Sequence, residues 1–573
     1  MTKWFGLVVT LVVAAVIGFW AVQPPAPLSA SAPADRFSAD RAMADVRIIA
    51  RVPHPTGSAA NAAVRAHLAE RLQGLGFSVR TVTAPLPPAA RKRLRAWGSP
   101  VADTAQAATL VALRPGRDPA SPVVAVMAHY DSVWGSPGAA DDAAGVAAAL
   151  EIARAIPRAS QQRDLALIFT DAEELGLVGA RAFFAADATN ASAGDPLAGR
   201  IGVLVNMETR GGGGRAQMFE TGPGNGALMR LFAANVADPA ANSLAVKIYE
   251  LLPNSTDFTP AKQRGIPGVN FAFIGDPQLY HSPLATAAAL DRGALQHLGA
   301  QGLDITRALL AAPALPERAP DTVFSDVLGR FIIAYPAWVG WLVLAAAAGL
   351  AGLAVRGRGW RWREVSAGVV DGITFMIATG VLAYGGNLLS GADVKGNYYD
   401  RLAALPRLEV QALLLMAAAL ALTLGLAGQR RGLHGHWLGL FGLNFAAACA
   451  VQAVLPAGAP VLAWPLLLAA LAMALQPRFG SIGPALAAIF GIAFAGGLAH
   501  FVMLGIGPGT PSVIAVFAPL LLVLIRPLLP PVPRRAAILA ALALVTVAGS
   551  LALWVRLDPL APSVAAYSIK GRA

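Results

Sequence analysis

The chain has 573 residues, 56% of them hydrophobic and 14% charged, long enough for two or more domains and too apolar for a wholly soluble one. Its formal charge of +12 suggests a nucleic-acid partner, but from Phe331 onward Lys and Arg outnumber Asp and Glu sixteen to six, leaving an excess of two elsewhere. The basic surplus belongs to the apolar half, so no nucleic acid is expected as a partner. The single cysteine, Cys449, lies in an apolar run, which excludes an intrachain disulfide and a thiolate zinc site.

Residues 4–22 are almost continuously apolar, follow Lys3 and precede a Pro/Ser/Ala-rich stretch. The run is long enough to span a bilayer. Ala30-Ser31-Ala32 offers a cleavage pattern, but the run exceeds the usual signal-peptide core and reads as an uncleaved anchor. The expected boundaries are an anchor at 1–22, a linker at 23–40, an α/β domain at 41–320, a membrane domain at 331–556 and a tail at 557–573.

Helices are expected at 42–51 and 59–72, with Asp40 and Ser58 available as caps. Strands are expected at 77–82 and 109–113, separated by a basic, Pro-rich surface loop at 83–105. Residues 123–127 form a short β-branched apolar run, too short for a helix, which reads as a buried strand delivering His129. A small-residue helix follows at 143–156. Residues 165–170 repeat the pattern and hand over to Asp171, Glu173 and Glu174. Further strands are expected at 201–207, 245–250 and 269–274, with helices at 226–236 and 285–310. This alternation predicts an α/β three-layer sandwich with a mainly parallel central sheet. The Gly211 to Gly214 run reads as a mobile loop and lacks the ending of a phosphate loop.

The strand ends carry the chemistry. Imidazole and carboxylate suit zinc, and a carboxylate can bridge two ions. Asp141, in a Gly/Ala-rich loop, is the bridging candidate. Asp131 lies two residues beyond His129 on an extended chain and is expected to accept the other ring N–H. Of Glu173 and Glu174, one can ligate while the other acts as general base. Asp257 reads as a ligand-orienting group, a contact for the substrate amine or a turn cap, and Tyr280 as a hydrogen-bond donor to a reaction intermediate or a packing residue.

Ala128-His129-Tyr130-Asp131-Ser132, Gly138-Ala139-Ala140-Asp141-Asp142 and Asp171-Ala172-Glu173-Glu174-Leu175-Gly176, with His54-Pro55-Thr56-Gly57-Ser58 upstream and Asn206-Met207-Glu208, Phe219-Glu220-Thr221-Gly222-Pro223, Ser255-Thr256-Asp257-Phe258 and Tyr280-His281 downstream, carry a resemblance. The chain resembles the co-catalytic zinc exopeptidases of the aminopeptidase Y type. Its layout is most similar to the membrane-bound branch of the endoplasmic reticulum metallopeptidase and fungal vacuolar membrane protease. The resemblance implies two zinc ions, one held by His129, Asp141 and Glu208, the other by Asp141, Glu174 and His281, with Glu173 as general base. It also implies a cis peptide after Asp141. Many soluble relatives have Asp at Glu208 and Asn at Asp142; neither departure removes a ligand.

Beyond Phe331, spans are expected at 337–355, 366–389, 410–427, 437–454, 461–475, 482–504, 513–525 and 536–555. Arg356, Arg358, Arg361, Arg363, Arg430, Arg431, Arg478, Arg526, Arg534 and Arg535 fall in alternate loops, which the positive-inside rule makes cytoplasmic. Lys3 agrees. The loop at 390–409 mixes Lys395, Arg401 and Arg407 with Asp393, Asp400 and Glu409. The catalytic domain is then expected on the non-cytoplasmic side, facing a bacterial periplasm or a vacuolar or endoplasmic reticulum lumen. Asp371 reads as an interfacial salt bridge with the nearby arginines, and His500 as a helix packing contact. Asn190-Ala191-Ser192 and Asn254-Ser255-Thr256 fit a glycosylation sequon.

The expected function is a membrane-anchored zinc aminopeptidase acting on peptides, with the lipid bilayer as its other partner. The alternatives are a zinc acyltransferase or carboxypeptidase on the same fold, or a membrane transporter or scaffold with an inert peptidase-like domain.

Overall fold

The computed structural model describes residues 2–185, 194–392, 398–427 and 432–558. The sequon at Asn190, the loop residues Asp393, Lys395, Arg430 and Arg431 and nearly all of the expected tail lie outside the described residues. The chain divides into two compact units, Gln23–Ala334 and Met1–Val22 with Tyr335–Leu560.

The first unit is built on a seven-stranded sheet: β1 (Ser78–Pro85), β2 (Gln106–Arg114), β3 (Val123–His129), β4 (Leu165–Thr170), β5 (Ile201–Thr209), β6 (Gln217–Thr221) and β7 (Gly268–Phe273). Their order is β1-β2-β4-β3-β5-β7-β6. The four central strands β4, β3, β5 and β7 run parallel, while β1, β2 and β6 pair antiparallel at the two sides. The sheet is thus mixed, with the parallel part at its centre.

Every residue of β3 is buried, as a strand covered on both faces requires. Val124, Val126 and Ala128 pack with residues of the helices Ala39–Ile49, Ala143–Ala155 and Arg292–Ala311. Val123, Ala125 and Met127 pack with Ala180 and Phe183 on one short helix and Phe258 and Ala261 on another. Two faces covered by helices make three layers. Each fully buried Val or Leu in such a core contributes about 1.5–3 kcal/mol, so the parallel strand ends are held on a stiff platform.

Several expectations are corrected. Residues 245–250 lie in a helix, Ser243–Leu251, whose N-cap Asn242 side chain accepts from the Ala245 N–H; the V-K-I-Y-E alternation imitated a strand. The basic loop contains a helix, Pro88–Ala96, whose Ala90 and Leu94 are buried. The first helix of the unit is capped by Ser38, not Asp40. The helix expected from 285 begins at Arg292, capped by Asp291.

Gly211 to Gly214 is a pinned segment and not a mobile loop. The Gly212 and Gly213 N–H groups donate to the Gly275 carbonyl at 2.9 and 3.1 Å. A Cβ at Gly211 would lie 2.2 Å from that same oxygen, so the glycine run serves close backbone approach.

Among the described residues of the second unit, eight helices are long and apolar enough to cross a membrane: Trp4–Val22, Trp362–Ser390, Leu402–Leu426, Leu433–Val454, Pro460–Phe479, Ile482–Ile506, Pro511–Leu528 and Arg534–Leu557. Val339–Val355 is a ninth, shorter apolar helix. Small residues permit one close crossing: a Cβ at Gly439 would lie 2.0 Å from the Val365 carbonyl oxygen, and one at Gly368 2.1 Å from that of His436. Such pairs let apolar helices approach at the backbone.

Two polar groups find partners on other helices here. Asp371 meets His436 Nε2 at 2.8 Å, and Arg526 Nε donates to His436 Nδ1 at 2.8 Å. One partner of Asp371 is thus an imidazole from the Leu433–Val454 helix, which itself meets an arginine. His500 makes a specific polar contact, its Nδ1 lying 2.8 Å from Glu409 Oε1 of the Leu405–Ala427 helix.

Candidate metal centre

Because β3, β4 and β5 run parallel, their carboxyl ends open on one edge, where open α/β sheets place their sites. His129 is the last residue of β3 and lies opposite Thr170 at the end of β4. Glu208 is the penultimate residue of β5. Glu173 and Glu174 occupy the turn after β4, and His281 follows a short 3-10 turn beyond β7.

Asp141 reaches the same point from a tight loop. Gly138 has φ +64°, and a Cβ there would stand 2.6 Å from the Asp141 carbonyl oxygen. The peptide Asp141–Asp142 is cis. Asp142 caps the Ala143–Ala155 helix through Gly145 N–H at 3.0 Å, and its other oxygen accepts from the His129 N–H at 3.2 Å. One carboxylate thereby ties the end of β3 to the start of the helix.

The expected ligands fall into two sets sharing Asp141. His129 Nε2 lies 3.0 Å from Asp141 Oδ1 and 3.7 Å from Glu208 Oε1. His281 Nε2 lies 3.3 Å from Asp141 Oδ2 and 3.2 Å from Glu174 Oε2. In each set the potential ligand atoms lie within 4.8 Å of one another, and all five residues are buried. The two oxygens of Asp141 thus face opposite sets. Glu174 Oε1 is buried with no hydrogen-bond partner among the described residues. An orphaned carboxylate oxygen beside buried imidazoles fits a cation, since burying such an atom without a partner is costly.

The electrostatics say the same. Burial pushes Glu174 and Glu208 above the usual carboxylate range, with Asp141 adding to it; the neighbouring histidines only partly offset this. Burial alone would lower His281, but Glu174 and Asp141 outweigh it and raise it to about 9. His129 is likewise raised against its own burial, by Asp131, Asp141 and Glu208. Asp141, flanked by both histidines, is held below the usual range despite burial. Buried carboxylates packed around imidazoles in this way call for compensating positive charge, which protons or a cation can supply.

Asp131 acts differently from its expected role. His129 Nδ1 lies 3.0 Å from the Asp131 backbone carbonyl, while the Asp131 carboxylate is 3.6 Å away. That carboxylate accepts from the backbone N–H groups of Glu173 and Glu174, at 3.0 and 3.3 Å. It therefore holds the turn that carries the base candidate. Ala172 at φ +61° and His281 at φ +51° adopt left-handed backbone, which costs non-glycine residues on the order of 1–3 kcal/mol each. Such conformations cluster at functional sites.

The upstream motif has a place too. Thr56 Oγ1 donates to Asp171 Oδ1 at 2.8 Å, Asn61 Nδ2 to the same oxygen at 3.3 Å, and Ala108 N–H to Oδ2 at 2.9 Å. Thr56 and Asp171 brace the turn from below, a role not visible in the sequence because their partners are over fifty residues apart. Asp257 is not a cap: its side chain makes no capping bond and instead accepts from the Thr170 hydroxyl. Burial pushes it up to about 7. Tyr280 stacks on His281, ring centroids 3.9 Å apart.

A mixed sheet thus lifts imidazoles and carboxylates to one edge, in two potential metal-holding sets joined by an aspartate. Residues 109–306 match the family model described as Peptidase family M28. The chain is 33% identical over 243 residues to endoplasmic reticulum metallopeptidase 1 of Homo sapiens, covering 41% of this chain and 26% of that protein. It is 27% identical over 310 residues to the vacuolar membrane protease of Eremothecium gossypii, covering 51% and 29%. A solved aminopeptidase from Aneurinibacillus sp. strain AM-1 aligns with TM-score 0.38 at 14% identity, covering 50% of this chain and 97% of that one. The chain spans about a quarter of the length of the curated relatives it matches.

Proposed function

We propose that the chain is a membrane-anchored aminopeptidase with two zinc ions, one at His129, Asp141 and Glu208 and one at Asp141, Glu174 and His281. The observation that carries this reading is the shared Asp141, whose two oxygens face two complete ligand sets. Zinc bound there would polarise a scissile carbonyl and acidify a water. Glu173 belongs to neither set and is partly exposed at the site. It takes the proton of the attacking water and passes it to the leaving amine. Asp131 positions it through the backbone. Peptides with a free N-terminus should be cleaved and their N-acetylated forms should not. Equal turnover of blocked peptides would favour an endopeptidase and end the aminopeptidase reading.

The pH dependence has a definite sign. Asp171, raised by burial to about 6, and Asp257, raised to about 7, bind protons more tightly in the metal-free fold than when unfolded. Their stabilising protonation is lost as pH rises through 6 and 7. His281, raised to about 9, contributes stability that is present below its unfolded value and is lost as pH rises towards 9. Asp141, held low, changes nothing above its ordinary range. The metal-free protein should therefore lose stability between pH 6 and pH 8. Zinc needs deprotonated ligands, so its own stabilisation grows over the same range. The Tm gap between zinc-loaded and metal-free protein should widen from pH 6 to pH 8; a constant or narrowing gap would contradict the assignment.

The active site faces away from the cytoplasm. The support is charge: Arg356, Arg358, Arg361 and Arg363, then Arg478, then Arg526, Arg534 and Arg535 sit at or between helix ends of one parity. In cells producing a C449A background, an impermeant maleimide added outside should label K92C and not R361C. The reverse pattern would invert the topology.

A further inference from the structure

The helix Pro88–Ala96 bears on substrate choice. Its Ala90 and Leu94, with Trp97 beyond, share one buried cluster with Val133, Ala172 and Leu175, residues of the two loops that follow β3 and β4, and with Val178 at the start of the next short helix. The basic helix is thus seated on the rim of the site. From it Arg93 Nη1 donates to the Glu174 carbonyl at 2.8 Å. On the other flank, the Arg210 guanidinium carbon stands 5.5 Å from the Tyr280 ring centroid, and Tyr280 stacks on His281. Glu174 and His281 are the two ends of one ligand set, 3.2 Å apart. Two arginines therefore bracket that set, Arg93 exposed and Arg210 partly exposed.

The site itself is otherwise acidic: Asp131, Asp141, Glu173, Glu174, Glu208 and Asp257 converge on it. Six carboxylates against the four positive charges of the two proposed zinc ions leave a net negative interior beside the two arginines, which matches a ligand whose ends have opposite charges. Stacking uses the face of a guanidinium, and its N–H groups lie in the plane, where they can donate to a carboxylate. Arg93 bonds the backbone of one ligand and Arg210 stands over the ring stacked on the other; with a peptide extending about 3.3–3.6 Å per residue, the carboxylate they would meet is assigned to the first or second residue after the scissile bond.

We propose that this protein selects peptides carrying a carboxylate within one or two residues of the scissile bond, bound between Arg93 and Arg210. The inference rests on the aminopeptidase reading. The carboxylate is supplied by the C-terminus of a di- or tripeptide or by an acidic side chain, and the substrates separate the two. Full-length, zinc-loaded protein is assayed on Leu-Gly against Leu-Gly-amide, and on Leu-Asp-amide against Leu-Asn-amide. At least one pair should show kcat/KM about tenfold or more in favour of the carboxylate, as expected for a charge-assisted hydrogen bond. The first pair assigns the C-terminus, the second the side chain. In R93Q and R210Q that ratio should fall towards one, and R210K should restore part of it. Ratios near one in the unsubstituted protein, or a preference undiminished in R93Q/R210Q, would overturn the inference while leaving the aminopeptidase reading intact. No turnover of any of the four substrates would overturn both.

Discussion

Replacing Glu173 by Gln should cut turnover by about 10²- to 10⁴-fold, the range typical of a lost general base, with zinc content unchanged. Glu173 is held by its backbone: its N–H donates to Asp131 Oδ1 at 3.0 Å, and its carbonyl accepts from the Gly176 and Leu177 N–H groups at 2.8 Å each. Gln preserves all three bonds and the side-chain volume. What it loses is a proton acceptor. Burial, followed by the charges of Glu208 and Glu174, pushes Glu173 well above the usual carboxylate range, against the pull of His129. A carboxylate with raised proton affinity is what a base working near neutral pH needs. Near-normal activity of the variant on aminoacyl substrates would remove Glu173 from the mechanism.

Asp141→Ala should have the largest effect on metal of any single ligand change. Removing Glu208 or Glu174 takes a ligand from one set, whereas removing Asp141 takes one from each, leaving His129 and His281 without their oxygens at 3.0 and 3.3 Å. Changing an outer-shell partner alone typically costs about 10–100-fold in metal affinity, so the loss of a shared ligand should exceed that at both positions. Zinc retention should therefore rank Asp141→Ala below Glu208→Ala and Glu174→Ala, measured by elemental analysis after dialysis. An Asp141→Ala protein that keeps as much zinc as Glu208→Ala would show that the aspartate is not shared.

The parts of this architecture legible in the sequence are those set by local composition. The runs ending at Met127, Thr170 and Met207 are short and mostly apolar, with β-branched residues among them, so the central strands and the residues just past them could be read directly. The apolar helices beyond Phe331 were legible for the same reason, to within a few residues at most of their ends. Where two local signals compete, the reading failed. Residues 245–250 alternate like a strand, but Asn242 supplies an N-cap and the segment coils. The Arg-rich helix at 88–96 has few apolar positions, and its docking depends on Val133 and Leu175 far along the chain. Glycines 211 to 214 suggested freedom, whereas their lack of side chains permits the close pairing with Gly275.

Contacts over long separations were the least legible part of the site. The Asp131 carboxylate lies 3.6 Å from the ring it was expected to meet, and a backbone carbonyl at 3.0 Å takes its place. The Thr56–Asp171 and Thr170–Asp257 bonds join segments 115 and 87 residues apart. Asp371, His436 and Arg526 meet only through helix packing.

The central claim, two metal sets joined through Asp141, is tested most directly by titrating zinc back into the metal-free, full-length protein while following peptide cleavage. Activity should rise in step with zinc and level off at about two equivalents per chain, the number of ligand sets that share the aspartate. Full activity in the metal-free protein, or a plateau at one equivalent with no further binding, would contradict it.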